Sequence, residues 1–429
     1  MADMIPVRFS NLRIDGWRQF GKIEIALHPQ LTVLTGANGA GKSTLLNMFS
    51  THFGFSRPYL STPFRDKAGG YKFLSGILEY IRKKQLLRSY VDSRQVAEIE
   101  YTNGQKSTAQ VPSETGVNYQ LTWSPQPSVA GFHVSSHRRL PQYQPVQQIP
   151  TQPMLPEQAF NQFNSEMASA FQGGHSGWSP TYRIKEALLS MAVFGPSTQF
   201  VSGNPALLST MTGFVQILRR LLPEEVGFLD ISIRSPDVVL VTKSGHFLID
   251  AASGGLMALI DLAWHIYMFS LRGDSYVVTI DEPENHLHPS MQRTLMGNLV
   301  NTFPTVQFIV ATHSPFIVSA VRDARVYVLK YEELSDSAEQ EGGAQQSRFV
   351  TSVSLDSVSR AGTASEILRD VLGLPTTYPE WASEALGEII RRYRGQPFNG
   401  ELLASIRRDL KETGYSDLFP DVVAGIAKQ

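Results

Sequence analysis

Nine consecutive residues carry the plainest chemistry in this sequence: Gly36-Ala37-Asn38-Gly39-Ala40-Gly41-Lys42-Ser43-Thr44. They fit the spacing G-x-x-x-x-G-K-[ST], in which glycines let backbone N–H groups turn inward around a polyphosphate. A helix opening there presents its positive N-terminus to the same anion. Lys42 is then placed to reach the β- and γ-phosphates of ATP, and the Ser43 hydroxyl to ligate Mg2+. A second group, Tyr276-Val277-Val278-Thr279-Ile280-Asp281-Glu282, is an apolar run that delivers two carboxylates at its end. Ligands of open α/β sheets gather at the C-terminal ends of strands. Asp281 is the expected Mg2+ partner of Ser43, and Glu282 the expected group that orients and polarises an attacking water.

Two further groups keep a telling spacing from these. Gln307 to Ala311 ends in Thr312-His313-Ser314-Pro315, and His313 stands 32 residues beyond Asp281, on what should be the adjacent strand and within reach of a γ-phosphate. Asp250-Ala251-Ala252-Ser253-Gly254-Gly255 lies directly before a long apolar stretch, with Ser253 28 residues ahead of Asp281. A serine followed by two glycines at a helix start is an N-cap and an anion-binding arrangement at once.

The elements that must position these groups follow from hydrophobic periodicity. Val7 to Ile14 and Ile23 to Leu27 alternate, while Leu31 to Thr35 is a short apolar run of the kind found in a strand buried on both faces. Ser43 to Ser50 has helical character. Residues 55–140 read as a mixed insertion: a helix over Tyr71 to Leu87, a hairpin over Gln95 to Val111 joined at Asn103-Gly104, and strands at Asn118 to Trp123 and Ala130 to Ser135. Pro141 to Pro180 holds eight glutamines and six prolines, which predicts an exposed excursion with little core. Arg183 to Leu222 reads as helical, and Leu229 to Ile249 as three strands with turns at Ser235-Pro236-Asp237 and Ser244-Gly245. Gly254 to Leu271 is nearly all apolar; its Asp261 and His265 are costly in a bilayer, so a fully buried helix is expected. The strand Tyr276 to Ile280, a helix over Ser290 to Phe303 and strands at Val306 to Ala311 and Arg325 to Leu329 complete a first domain, 1–330. A polar connector, 331–350, and a helical C-terminal region, 351–429, follow.

The composition narrows the function classes. With 42% hydrophobic residues, the 429-residue chain can build a sizeable core. Its 38 Lys and Arg balance 39 Asp and Glu, which excludes coating nucleic acid by bulk charge but not a local basic patch. The absence of cysteine removes disulfides, thiolate metal sites and cysteine nucleophiles together. The start, Met1-Ala2-Asp3-Met4-Ile5, has no secretory features, so the expectation is a cytoplasmic protein without membrane contact.

In this order the four groups resemble the ATP-binding-cassette class of ATPases, in the recombination and defence branch of RecF-like, chromosome-maintenance-like and OLD-like proteins. Gly36 to Thr44 looks like Walker A, Ile280 to Glu282 like the end of Walker B, His313 like the switch histidine, and Ser253-Gly254-Gly255 like a reduced signature motif with Ala252 in place of its leading leucine. Asp281-Glu282-Pro283-Glu284-Asn285-His286-Leu287-His288-Pro289 is similar to the D-E-P-E-x-H-L-H-P run of the OLD-like branch. The resemblance implies an α/β fold: a P-loop ABC-type head with a mostly parallel core sheet, an antiparallel β-subdomain, a helical lobe and a small helical C-terminal appendage. It also implies a homodimer or higher oligomer in which two heads sandwich ATP, with Ser253 acting in trans. The family's glutamine loop has no clear counterpart; Arg138, in Ser136-His137-Arg138-Arg139, is the candidate substitute. His286 and His288 could suggest a metal, but their place in the run favours an inter-head loop.

Ser253 stands 211 positions beyond Lys42 and the span between them holds no heptads, which disfavours the chromosome-maintenance type, and the 116 residues after His313 contain no D-x-D, which argues against a nuclease domain of its own. The leading reading is therefore an ATPase subunit of a bacterial anti-phage defence system that controls a separate effector, a nuclease being the expected kind. A RecF-like repair ATPase is the alternative; it would need a DNA-facing surface built from Arg82-Lys83-Lys84, Arg138-Arg139, Arg219-Arg220 and Arg391-Arg392. A transporter ATPase and a scaffold that binds nucleotide without turnover complete the alternatives.

Overall fold

Leu31–Gly36 is buried at all six positions, which requires hydrogen-bonded neighbours on both edges and apolar layers on both faces. The computed structural model supplies them; it describes residues 6–65, 70–75, 95–112, 116–136, 142–174, 177–200, 202–273, 275–333, 348–356, 362–373, 380–393, 395–397, 399–419, 422–423 and 426. Across an eleven-stranded sheet the order is Thr122–Ser124, Lys106–Gln110, Gln95–Tyr101, Phe9–Trp17, Phe20–Ala26, Arg348–Leu355, Arg325–Glu333, Leu31–Gly36, Gln307–Ala311, Val277–Asp281 and Gly131–Val134. The last five are mutually parallel and the first five antiparallel. Arg348–Leu355 joins the halves, parallel to Phe20–Ala26 and antiparallel to Arg325–Glu333. The parallel half therefore presents five C-terminal ends along one edge, which is where the chemistry-bearing residues fall.

Helix Lys42–Ser50 packs Leu45, Leu46, Met48 and Phe49 into the core with Phe9, Leu12, Trp17 and Ile99. The helices Pro156–Phe171, Pro180–Phe194 and Pro205–Leu221 gather around Gly254–Ser270, whose Trp264 is fully buried. That last helix is apolar on every side because protein surrounds it, as its sequence predicts; no described helix is long and apolar enough to cross a membrane. A separate antiparallel sheet, Phe228–Arg234, Asp237–Thr242 and Gly245–Leu248, has the expected three strands. Ser365–Gln429 is a second compact unit with its own small core, in which helices Glu380–Tyr393 and Gly400–Glu412 bury Leu386, Ile389, Leu402, Ile406 and Leu410.

Three expectations are corrected. The Gln/Pro-rich stretch 141–180 contains a sixteen-residue helix, Pro156–Phe171, which buries Phe160, Phe163, Met167 and Phe171. Glutamine is a good helix former, the apolar residues recur at helical spacing, and Pro156 occupies a first-turn position where proline is tolerated. Tyr71–Leu74, expected to open a helix, is a strand paired with Thr62–Arg65; the remainder of that expected helix, with Arg82-Lys83-Lys84, lies outside the described residues. The first compact unit also runs on to Ala364: Arg348–Leu355, in the segment read as connector and helical region, is a sheet strand paired antiparallel with Arg325–Glu333.

Candidate functional site

Leu31–Gly36 ends in the glycine-rich loop, Gln307–Ala311 in Thr312-His313, Val277–Asp281 in Asp281 and Glu282, and Gly131–Val134 in Ser135-Ser136. The four strands are neighbours and parallel, so these ends share one edge. Gly36 and Gly41 have φ of +139° and +98°. A Cβ at Gly36 would stand 2.4 Å from the Leu329 carbonyl oxygen, and one at Gly41 2.4 Å from Phe20 Cζ, so both positions require glycine for conformation and for space. Ala37, Asn38 and Gly39 are exposed at the loop tip, whereas Ala40 is buried. Gly41 caps helix Lys42–Ser50 without any side-chain hydrogen bond, which leaves the helix's first N–H groups for an anion.

Lys42 is only 6% exposed, and its Nζ donates to the carbonyls of Gly36 (3.0 Å) and Ala37 (3.1 Å). Burial draws its pKa down to about 8 against the opposing pull of Asp281, Glu282 and Glu284. Burial pushes Asp281 up to about 6; a hydrogen bond from Ser43 and the charge of Lys42 act the other way, and Glu282 and Glu284 add to the rise. A half-buried carboxylate touching a hydroxyl is an all-oxygen donor pair, which suits Mg2+, an ion that keeps most of its coordination for water and phosphate. Ser43, Thr44 and Asp281 line a cleft of about 260 Å3 together with Arg57, Tyr59 and His133.

Glu282 has φ of +49°, a left-handed conformation rare outside glycine and found where surrounding structure enforces it. Its N–H donates to the Ala311 carbonyl (2.9 Å), which ties the turned residue to the next strand. Its Oε2 accepts from Asn285 Nδ2 (2.8 Å), while Oε1 lies 3.9 Å from His313 Nε2, too far for a hydrogen bond. Burial, then Lys42, lowers the His313 pKa against Glu282 and Glu284, which favours the neutral imidazole.

Sequence reasoning gave Glu284 and Asn285 no role. Glu284 Oε1 accepts from the Thr312 hydroxyl (2.7 Å), the His313 N–H (2.7 Å) and the Ser314 N–H (3.1 Å), clamping the histidine turn to the carboxylate turn. Glu284 stands in the D-E-P-E run, but the run alone does not show that it brackets the histidine turn. Ser253 is an exposed N-cap whose Oγ accepts from the Leu256 N–H (3.3 Å), and it is not among the residues lining the Ser43–Asp281 cleft. A Cβ at Gly255 would lie 2.6 Å from the His286 carbonyl oxygen, so this helix start is seated on the turn that follows Glu282. His288 caps helix Pro289–Thr302 through the Ser290 N–H (3.3 Å), an ordinary structural duty. Arg138 lies outside the described residues, although the neighbouring Ser136 carbonyl accepts from Asn285.

Two family models match the chain: an AAA domain over residues 11–151, and one described as "AAA domain, putative AbiEii toxin, Type IV TA system" over 241–319. Among curated proteins, the retron Vc95 probable ATPase of Vibrio cholerae serotype O1 biovar El Tor is 43% identical over 53 residues, 12% of this chain and 10% of that protein. The Septu protein PtuA of Bacillus mycoides (strain KBAB4) is 30% identical over 156 residues, 36% of this chain and 20% of its own. That of Bacillus thuringiensis is 27% identical over 187 residues, 39% and 45% of the two chains. The matched segments thus span less than half the length of each of these relatives. Among solved structures, the SMC head domain from Thermotoga maritima aligns with a TM-score of 0.41 and 14% identity over 81% of this chain and 99% of that one. Two segments of the chain thus match AAA-domain models, and shorter stretches are similar to a retron probable ATPase and to Septu PtuA.

Proposed function

We propose that the chain binds Mg-ATP in the Gly36–Thr44 loop and hydrolyses it to ADP and phosphate. The observation that carries this reading is the single sheet edge on which the loop, Asp281, Glu282 and His313 meet. Lys42 exchanges its loop carbonyls for β- and γ-phosphate oxygens, a trade that favours its charged form. Glu282 orients a water whose oxygen attacks the γ-phosphorus as the bond to the ADP oxygen breaks, and its carboxylate accepts the water's proton. His313, neutral and clamped by Glu284, hydrogen-bonds the γ-phosphate. Ser43 and Asp281 would hold Mg2+, which would supply charge neutralisation for the phosphates.

Ser253, exposed at a helix N-terminus, serves the nucleotide of a second head in trans, so ATP closes a head pair and hydrolysis opens it. The likeness to retron and Septu proteins supports a place in anti-phage defence, as the ATPase and sensor subunit governing a separate effector, a nuclease. A DNA-binding repair role draws less support from the described basic pairs, because Arg219 donates to the Leu229 carbonyl and Arg392 pairs with Asp409; Arg82-Lys83-Lys84 and Arg138-Arg139 lie outside the described residues.

The test is phosphate release and light-scattering mass for the unmodified chain, Lys42→Ala and Glu282→Gln. The expected result is nucleotide binding and turnover lost in Lys42→Ala, turnover cut to a small residual rate in Glu282→Gln, and an ATP-dependent mass doubling trapped by Glu282→Gln. Glu282→Gln turning over at the unmodified rate would sink the catalytic assignment, and an unchanged mass would sink the paired heads.

A further inference from the structure

We propose that Asn285 is the positioning residue for the Glu282 carboxylate, holding it by one oxygen so that the other is left for water and His313. The proposal rests on the reading of Glu282 as the group that polarises water. Asn285 Nδ2 donates to Glu282 Oε2 at 2.8 Å and to the Ser136 carbonyl at 3.2 Å. Both partners are acceptors only, so the amide nitrogen, not its oxygen, must face them, and both of its hydrogens are committed. The Asn285 backbone N–H also donates to the Glu282 carbonyl (3.2 Å), closing the turn that places the two side chains together.

Glu282 needs such a hold. Its side chain is 35% exposed and its backbone is left-handed, with φ of +49°, so its carboxylate depends on hydrogen bonds for a fixed position. With Oε2 tied, Oε1 is the oxygen that faces His313 at 3.9 Å. Asn285 makes this hold from outside the phosphate loop, and it links the carboxylate to the end of Gly131–Val134, the outermost parallel strand. Its position is the one left open in the D-E-P-E-x-H-L-H-P run, so no motif finds it.

Asn285→Asp keeps the shape, removes the donor and sets a second carboxylate against Glu282. Hydrogen bonds to charged groups contribute about 1.5–3 kcal/mol, which at 1.36 kcal/mol per decade corresponds to a fall in kcat of roughly 10- to 150-fold. The experiment is steady-state ATP hydrolysis by the full chain, with ADP as competitive inhibitor, for Asn285→Asp, Asn285→Ala, Glu282→Gln and Glu282→Gln/Asn285→Asp. The expected outcome is a large loss of kcat in both Asn285 variants, KM and ADP affinity within about threefold of the unmodified chain, and a double variant within about twofold of Glu282→Gln alone. Retained ADP binding shows that each variant is folded, and Asn285→Ala decides if the aspartate variant does not bind ADP. A kcat within threefold of the unmodified chain overturns the proposal. So does an Asn285 effect that persists in full on the Glu282→Gln background, or one that weakens ADP binding as much as it slows turnover. Glu282→Gln at the unmodified rate would instead overturn the function on which the proposal rests.

Discussion

Lys185→Met would leave a buried carboxylate without its counter-charge. Lys185 is fully buried, with Nζ 2.7 Å from Asp250 Oδ2 and 3.8 Å from Asp237 Oδ1, and the Asp250 side chain is only 3% exposed. A pair of nearly equal length, Arg392–Asp409 at 2.8 Å, has its arginine 64% exposed; water competes for it, and its loss should cost no more than about 1 kcal/mol. At Lys185 no such competition exists. Asp250 Oδ1 already has no hydrogen-bond partner among the described residues, so removing the ammonium strands both oxygens, at a cost of about 3–5 kcal/mol. Removing both charges in Lys185→Met/Asp250→Leu should recover most of that loss, because the desolvation penalty disappears with the attraction. The assay is guanidinium unfolding followed by tryptophan fluorescence on the four proteins of this cycle. Lys185→Met costing under about 1 kcal/mol, or a double variant equal to the sum of the singles, would refute the reasoning. The consequence reaches function, since Asp250 anchors the turn three residues before Ser253.

Gly41→Ala should weaken ATP binding at least tenfold in a direct titration, because the new Cβ meets Phe20 in a backbone conformation, φ +98°, that costs an L-residue about 1–3 kcal/mol; affinity within twofold would count against the loop geometry. Gly255→Ala should destabilise by about 1–3 kcal/mol against the His286 carbonyl, whereas Gly400→Ala, with nothing within 4 Å, should stabilise by about 0.5–1 kcal/mol; the same sign at both sites would contradict the contact. Burial lowers His133 and His265 to about 3, so the unfolded chain holds more protons than the folded one between about pH 6.5 and 3. Stability should therefore be fully present above about pH 6.5 and fall on acidification by about 1.4 kcal/mol per pH unit for each histidine. His265→Phe, which keeps a ring stacked on Phe132, should shallow that slope in unfolding curves taken from pH 7 to 5, and an unchanged slope would refute it.

What could be read from the sequence divides along a physical line. The loop Gly36–Thr44, Asp281, Glu282 and His313 were legible because their chemistry demands particular residue types at particular distances from strand ends, and strands and helices declare themselves by period. The helix Pro156–Phe171 is masked in the sequence by the surrounding prolines and glutamines, although the spacing of Phe160, Phe163, Met167 and Phe171 determines what can be buried. Arg348–Leu355 was hidden for a different reason: a strand is completed by its neighbour, and nothing in its own residues names Arg325–Glu333 as the partner. Glu284 and Asn285 lie beyond composition and period alike. Their work is to accept three hydrogen bonds from one turn and to donate two to another, and a side chain acquires such duties only once the fold has brought its acceptors and donors within 3 Å or so. Residue types at fixed spacing single out candidates for chemistry, whereas the residue that holds another still is visible only in the folded geometry.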